Sequence, residues 1–142
     1  MLDKRLAVFR LSAQDKGIQL RLELPTAPIH ANIQADKFGR ILGNLLSNAL
    51  SFTPASGTIR VRLRQLKGRV RLVVRDTGLG IPEARQLHMF DKFTAAARPG
   101  LYGDTTTGLG LFITKQIMEM HQGKIWLESK ENEGATFFID FK

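Results

Sequence analysis

Apolar and polar positions along the chain alternate between a period near 3.6 residues and a period of two, and the changes of period lay out its elements. Leu2, Leu6, Phe9 and Ala13 keep near-helical spacing until Gly17, which predicts an opening helix over about 1–14. Ile18 to Leu24 alternates as far as Pro25 and predicts a half-buried strand, and 29–33 adds a short one beside it. From Asp36 to Phe52, the residues Phe38, Ile41, Leu42, Leu45, Leu46 and Ala49 lie on one stripe about 100° wide, the clearest helix of the chain. Thr58 to Leu66 and Arg69 to Arg75 are alternating runs joined at Lys67-Gly68, which predicts a β-hairpin. A short helix is expected after Pro82. No periodicity follows from about Thr94 to Thr107, and helical spacing returns from Gly108 to His121, ended by Gly123. Lys124 to Ser129 and Ala135 to Phe141 close the chain as two strands across Glu131-Asn132-Glu133-Gly134.

This order predicts an α+β fold, a two-layer α/β sandwich with about three main helices on one face of a mixed, mostly antiparallel sheet of about five strands. At 142 residues and 43% hydrophobic content the chain fits a single domain, 1–142, with one core. The absence of cysteine removes a disulfide framework and a thiolate metal site. Apolar stretches such as Ile41 to Leu46 are broken by polar residues and fall short of a membrane span, and the N-terminus carries no signal-peptide pattern.

The net charge of +8 is compatible with a nucleic acid, an anionic lipid or a phosphorylated ligand. However, Arg60, Arg62, Arg64, Lys67, Arg69, Arg71 and Arg75 alternate with apolar residues, as the solvated face of a hairpin does, and no nucleic-acid-binding motif accompanies them.

Asn44 and Asn48 are four residues apart on the clearest helix, so both amides emerge on one flank, one turn from each other. A neutral oxygen donor suits Mg²⁺, which takes few protein ligands and fills its octahedron with phosphate oxygens and water, and Asn48 is the candidate direct ligand. An isolated Asn-x-x-x-Asn pair is more often solvated or bonded to a neighbouring loop; two glycine segments overturn that balance. In the first, Asp76 closes a strand and is followed by Gly78, Gly80 and Ile81, where a carboxylate can accept a hydrogen bond from an exocyclic amine and glycines allow close backbone approach or positive φ. In the second, Gly108, Leu109, Gly110 and Leu111 open a helix, whose N–H groups and positive dipole end suit phosphate, with Thr107 and its neighbours placed to cap it. Between them, Phe90 and Phe93 read as core anchors, with Lys92 as a point charge for a terminal phosphate. His30, His88 and His121 show no metal-ligand spacing and read as surface or helix-end residues.

Taken in order, these motifs resemble the catalytic, ATP-binding domain of two-component sensor histidine kinases, within the wider group of gyrase, Hsp90, histidine kinase and MutL ATPases with a Bergerat-type fold. The resemblance runs from about Asp15 to Phe141. It comprises an asparagine box at Asn44 to Pro54, a first glycine box at Asp76 to Ile81 and a phenylalanine box at Phe90 to Phe93. A second glycine box lies at Gly108 to Leu111, and the closing strands begin at His121-Gln122-Gly123. It implies ATP and Mg²⁺ as cofactors, with Asp76 reading the adenine amine, Asn48 holding Mg²⁺ and Asn44 supporting metal and phosphates. It also implies that Gly108 to Leu111 wrap the phosphates, that 94–107 form an ATP lid and that Thr136 lies near Asp76. Two departures stand out: Ser51 occupies a position usually held by lysine, and Thr94-Ala95 replaces an aromatic-arginine pair. Lys92, Arg98 and Lys115 are then the nearest candidates to meet phosphate charge.

Hydrolysing members of the group carry a glutamate where this chain has Asn44, and an amide cannot accept a proton. The expected function is therefore to bind Mg-ATP and present the γ-phosphoryl group to a histidine on a dimerisation domain of the same protein, outside this sequence, and indirectly to serve a response regulator. No histidine here matches the family's acceptor pattern, so the chain is expected to be a cytoplasmic fragment that does not autophosphorylate alone and contacts neither nucleic acid nor membrane. A hydrolysing ATPase and a nucleotide-holding regulatory module are the rival readings.

Overall fold

Residues 2–25, 33–86, 88–91 and 110–142 are described by a computed structural model. Their elements run α1 (Leu2–Asp15), β1 (Gln19–Glu23), α2 (Ala35–Phe52), β2 (Thr58–Leu66), β3 (Arg69–Asp76), α3 (Glu83–Gln86), α4 (Gly110–Met120), β4 (Lys124–Ser129) and β5 (Ala135–Phe141). The short strand expected over 29–33 lies outside the described residues except for Ile33, which packs against the core.

The five strands form one sheet in the order β1-β2-β3-β5-β4. β1 and β2 are parallel, which requires a crossover, and α2 supplies it; the remaining pairs are antiparallel. The α+β sandwich expected from the periodicity is the fold observed. Alternation sends Ile59, Val61, Val70, Leu72, Val74, Phe137 and Ile139 to the helix-covered face, where each is buried. Against them lie Ile41, Leu42, Leu45 and Leu46 of α2, none more than 1% exposed, with Leu6 of α1 and Met118 of α4. α2 is thus the central helix of the core, and its flank is held in a fixed place. Among the described residues no helix is long and apolar enough to cross a membrane.

The opposite face of the sheet carries the arginines, and it is more organised than a merely solvated face. Glu23 pairs with Arg60 and Arg62 at 3.2 and 3.5 Å. Arg71 grips Asp140 in a two-pronged contact, Nε to Oδ1 at 2.7 Å and Nη2 to Oδ2 at 3.0 Å, while Arg69 Nε approaches Oδ2 at 3.0 Å. The Arg71 guanidinium also lies 5.2 Å from the centre of the Trp126 ring, which stacks on Phe138 at 5.1 Å. The hydrogen bond to Asp140 outweighs desolvation and holds the Arg71 pKa above its ordinary value. Asp140→Ala takes the shared carboxylate from both arginines. It is expected to lower stability by about 1–3 kcal/mol, read as a lower urea midpoint at unchanged slope; an unchanged midpoint would show that the cluster contributes nothing.

Candidate functional site

Alternation along β3 directs its last residue, Asp76, inward with Val70, Leu72 and Val74, and Asp76 is buried at 5% exposure. Oδ1 accepts hydrogen bonds from the N–H of Gly78 at 2.9 Å and of Ala135 at 3.3 Å, so the carboxylate is held in one orientation. The loop that follows is clamped from two sides. Leu79 N–H donates to the Phe52 carbonyl at the end of α2 at 3.1 Å, and its own carbonyl accepts from Asn132 in the β4–β5 turn. Ile81 N–H donates to Ser129 Oγ at 2.9 Å, while Gln86 Nε2 donates to the carbonyls of Ile81 and Ser129 at 2.8 and 2.9 Å.

These clamps supply a reason for the glycines beyond ligand access. A Cβ on Gly78 would lie 2.2 Å from the Phe52 carbonyl oxygen, and one on Gly80, at φ +70°, would lie 1.9 Å from that of Lys130. The protein's own backbone occupies the space that a side chain would need.

On the flank of α2, Asn44, Asn48 and Ser51 recur at helical spacing on one side. Asn44 Nδ2 donates to the Gly110 carbonyl at 3.1 Å and to Thr114 Oγ1 at 3.2 Å, so this residue touches the start of α4. Phe52, at the other end of the same stretch, touches the loop after Asp76. Asn48 is half-buried between these two contacts, and its side chain makes no hydrogen bond to another described residue. Ser51 is buried at 7% exposure in the last turn of α2.

Residues 33–142 match the family described as histidine kinase-, DNA gyrase B-, and HSP90-like ATPase. The chain belongs to this ATPase family. It is 42% identical over 128 residues to the circadian input-output histidine kinase CikA of Synechococcus elongatus, covering 86% of this chain and 16% of that protein. It is 40% identical over 128 residues to the sensor histidine kinase TmoS of Ectopseudomonas mendocina, covering 89% of this chain and 13% of that protein. The chain therefore spans only a small part of the curated relatives it matches. Among solved structures, the nucleotide-free catalytic domain of histidine kinase ThkA superposes with a TM-score of 0.84 at 27% identity, covering 98% of this chain and 89% of that one. Full-length ShkA in complex with AMPPNP superposes with a TM-score of 0.78 at 26% identity, covering 99% of this chain and 28% of that one. Within the family, the similarity is thus to catalytic, ATP-binding domains of sensor histidine kinases.

In this ATPase-family domain, the structure brings Asp76, Gly78, Gly80 and Ile81 into one loop, and joins Asn44 to Gly110 across α2 and α4. Two further site residues are placed by the sheet and the core. Thr136, expected near Asp76, pairs with its neighbour Arg75 and with Glu128 and lines the same pocket as Asp76, with its side chain on the opposite face of the sheet; the residue directly across from Asp76 is Ala135. The Leu111 side chain is buried in the core at 8% exposure, so this residue has only backbone to offer a phosphate. Lys92, Arg98, Thr107, Gly108 and Leu109, with the proposed lid over 94–107, lie outside the described residues. Phe90 meets Phe137 edge-on at 6.4 Å, which gives it the anchoring role expected from its spacing, whereas Phe93 is outside the described residues. His121 directly follows α4, with Nδ1 at 2.8 Å from the Ile117 carbonyl, and His88 faces Asp91 at 3.0 Å, a carboxylate partner that its spacing alone did not suggest. Thr114 escaped the sequence reading altogether: its only signal is a hydroxyl in an otherwise apolar helix stripe with Leu111, Ile117 and Met118.

Proposed function

We propose that this domain binds Mg-ATP and positions the γ-phosphoryl group for transfer to a histidine on a dimerisation domain of the same protein, in two-component signalling. The observation that carries the reading is the chemistry of the α2 flank. Asn44, Asn48 and Ser51 offer amides and a hydroxyl but no carboxylate to take a proton from water, and Asn44 has its NH₂ engaged with α4. Catalysis on such a surface is positioning and charge stabilisation for a nucleophile that arrives from elsewhere.

In this reading the oriented Asp76 carboxylate accepts the adenine amine, and the clamped loop from Gly78 to Ile81 keeps that carboxylate in place. The donor set fits Mg²⁺: Asn48 offers a neutral oxygen that no other described residue engages, the kind of single protein ligand that this ion accepts beside phosphate and water. When bound, Mg²⁺ would neutralise phosphate charge, and Asn48 would hold it. The start of α4 at Gly110 and Leu111 would offer backbone N–H groups to the phosphates. Lys92, Arg98 and Lys115 would meet the charge that Ser51 cannot. The complex of the similar ShkA with AMPPNP supports a nucleotide in this fold.

Calorimetric titration with ADP, with and without Mg²⁺, tests the pocket. Binding is expected to tighten with Mg²⁺ in the wild type, and Asn48→Ala is expected to lose about tenfold in the presence of the ion and little in its absence, one charge-assisted contact being worth about 1.5 kcal/mol. A folded wild type that binds no ADP would sink the reading. Incubation with ATP should label a separately supplied dimerisation domain of the parent protein, and leave this chain free of phosphohistidine. The buried Ser51 in place of lysine favours one alternative, a module that holds nucleotide to regulate a partner; binding without any transfer would select it.

A further inference from the structure

Thr114 is fully buried on α4, yet its hydroxyl is completely accounted for. It donates to the Gly110 carbonyl one turn earlier at 2.9 Å and accepts from Asn44 Nδ2 at 3.2 Å. Asn44 Nδ2 also donates to the same carbonyl at 3.1 Å. Three groups from two helices thus close a small ring of hydrogen bonds. The carbonyl determines the sense of the ring, because it can only accept: were the Asn44 amide turned over, its oxygen would face the Gly110 oxygen with no proton between them. The NH₂ of Asn44 is therefore the half that faces α4, and Oδ1 is the half that remains for a ligand.

We propose that Thr114 is a positioning residue of the nucleotide site, which, with the Gly110 carbonyl, holds the Asn44 amide so that Asn44 presents an acceptor and not a donor. The proposal rests on the reading of the α2 flank as the Mg-ATP site and sharpens it. With Nδ2 turned toward α4, the half of the Asn44 amide that faces away from α4 is the acceptor Oδ1. This oxygen suits what surrounds a hydrated cation, namely the protons of metal-bound water, while Asn48 keeps the direct contact. The ring also ties the first turn of α4 to α2, so the backbone at Gly110 and the amide of Asn44 are set as one unit.

The test compares Thr114→Val, which keeps the shape and removes the hydroxyl, with Thr114→Ser, which restores it. In the nucleotide-free protein, the side-chain amide signals of Asn44 in a ¹⁵N–¹H spectrum are expected to shift and lose protection from hydrogen exchange in the valine variant, and to stay near their wild-type positions in the serine variant. In ADP titrations, the valine variant is expected to bind about 3–10-fold more weakly with Mg²⁺ present, the effect of one neutral hydrogen bond. It should bind as the wild type does without Mg²⁺, and serine should recover most of the loss. Unchanged Asn44 amide signals in the valine variant would overturn the proposal, as would an equal loss of affinity with and without Mg²⁺. If the wild type itself bound no ADP, the reading of the site would fall. The amide signals would then still report whether Thr114 orients Asn44, so the two failures are distinguishable.

Discussion

Asp76→Asn is expected to weaken nucleotide binding roughly a hundredfold while leaving the domain folded. The reason lies in the two backbone N–H groups, of Gly78 and Ala135, that already hold one carboxylate oxygen at 2.9 and 3.3 Å. An asparagine keeps these bonds only by placing its amide oxygen there, which puts its NH₂ where the second carboxylate oxygen stood. An exocyclic amine of adenine would then meet a donor instead of an acceptor in a buried place. A lost charged hydrogen bond together with an opposed pair of donors amounts to about 3 kcal/mol, or roughly a hundredfold in Kd. Titration with ADP alongside a thermal melt separates binding from folding. A Kd within a few-fold of wild type would remove Asp76 from adenine recognition.

The largest expected effect on stability belongs to Gly80→Ala. Gly80 sits at φ +70°, which costs an L-residue about 1–2 kcal/mol, and its added Cβ would stand 1.9 Å from the Lys130 carbonyl oxygen. No flexible side chain can move aside there. Either the loop or the β4–β5 turn must shift, and with it the bonds from Ile81 to Ser129 and from Asn132 to Leu79. A total loss of about 3–5 kcal/mol is expected, a large share of the stability of a small domain. Gly68→Ala is the internal control. Gly68 has φ +74°, but a Cβ there would meet nothing within 4 Å, so this variant should lose only the conformational part, about 1–2 kcal/mol. Equal losses in the two variants by urea unfolding would show that the backbone contact at Lys130 is not what Gly80 serves.

Both results bear on how site and scaffold are joined. The loop that carries Asp76 is held by α2 on one side and by the β4–β5 turn on the other, and the glycines permit that double clamp. A change in the turn at Lys130 to Gly134 would therefore reach the orientation of Asp76 without touching any ligand.

The chain by itself determined where its elements lie and which faces they bury, since both follow from local periodicity and punctuation. Gly123 and Gly134 bracket strands that appear as read, Lys124–Ser129 and Ala135–Phe141, and the stripe from Phe38 to Ala49 is the helix face that forms the core. It also marked Asn44, Asn48 and Asp76, because their spacing within one helix and at one strand end is itself local. Relations across the chain came instead from the assembled fold. Pairing register gave Asp76 the partner Ala135 and sent Thr136 to the other face, since a shift of one residue reverses a side chain in a strand. Packing of α4 on α2 joined Thr114 to Asn44, separated by 70 residues. The need for Gly78 and Gly80 came from carbonyls at Phe52 and Lys130, and the arginines of β3 found Asp140 on a neighbouring strand. Periodicity states which side of an element is buried; what it is buried against depends on how distant elements are brought together.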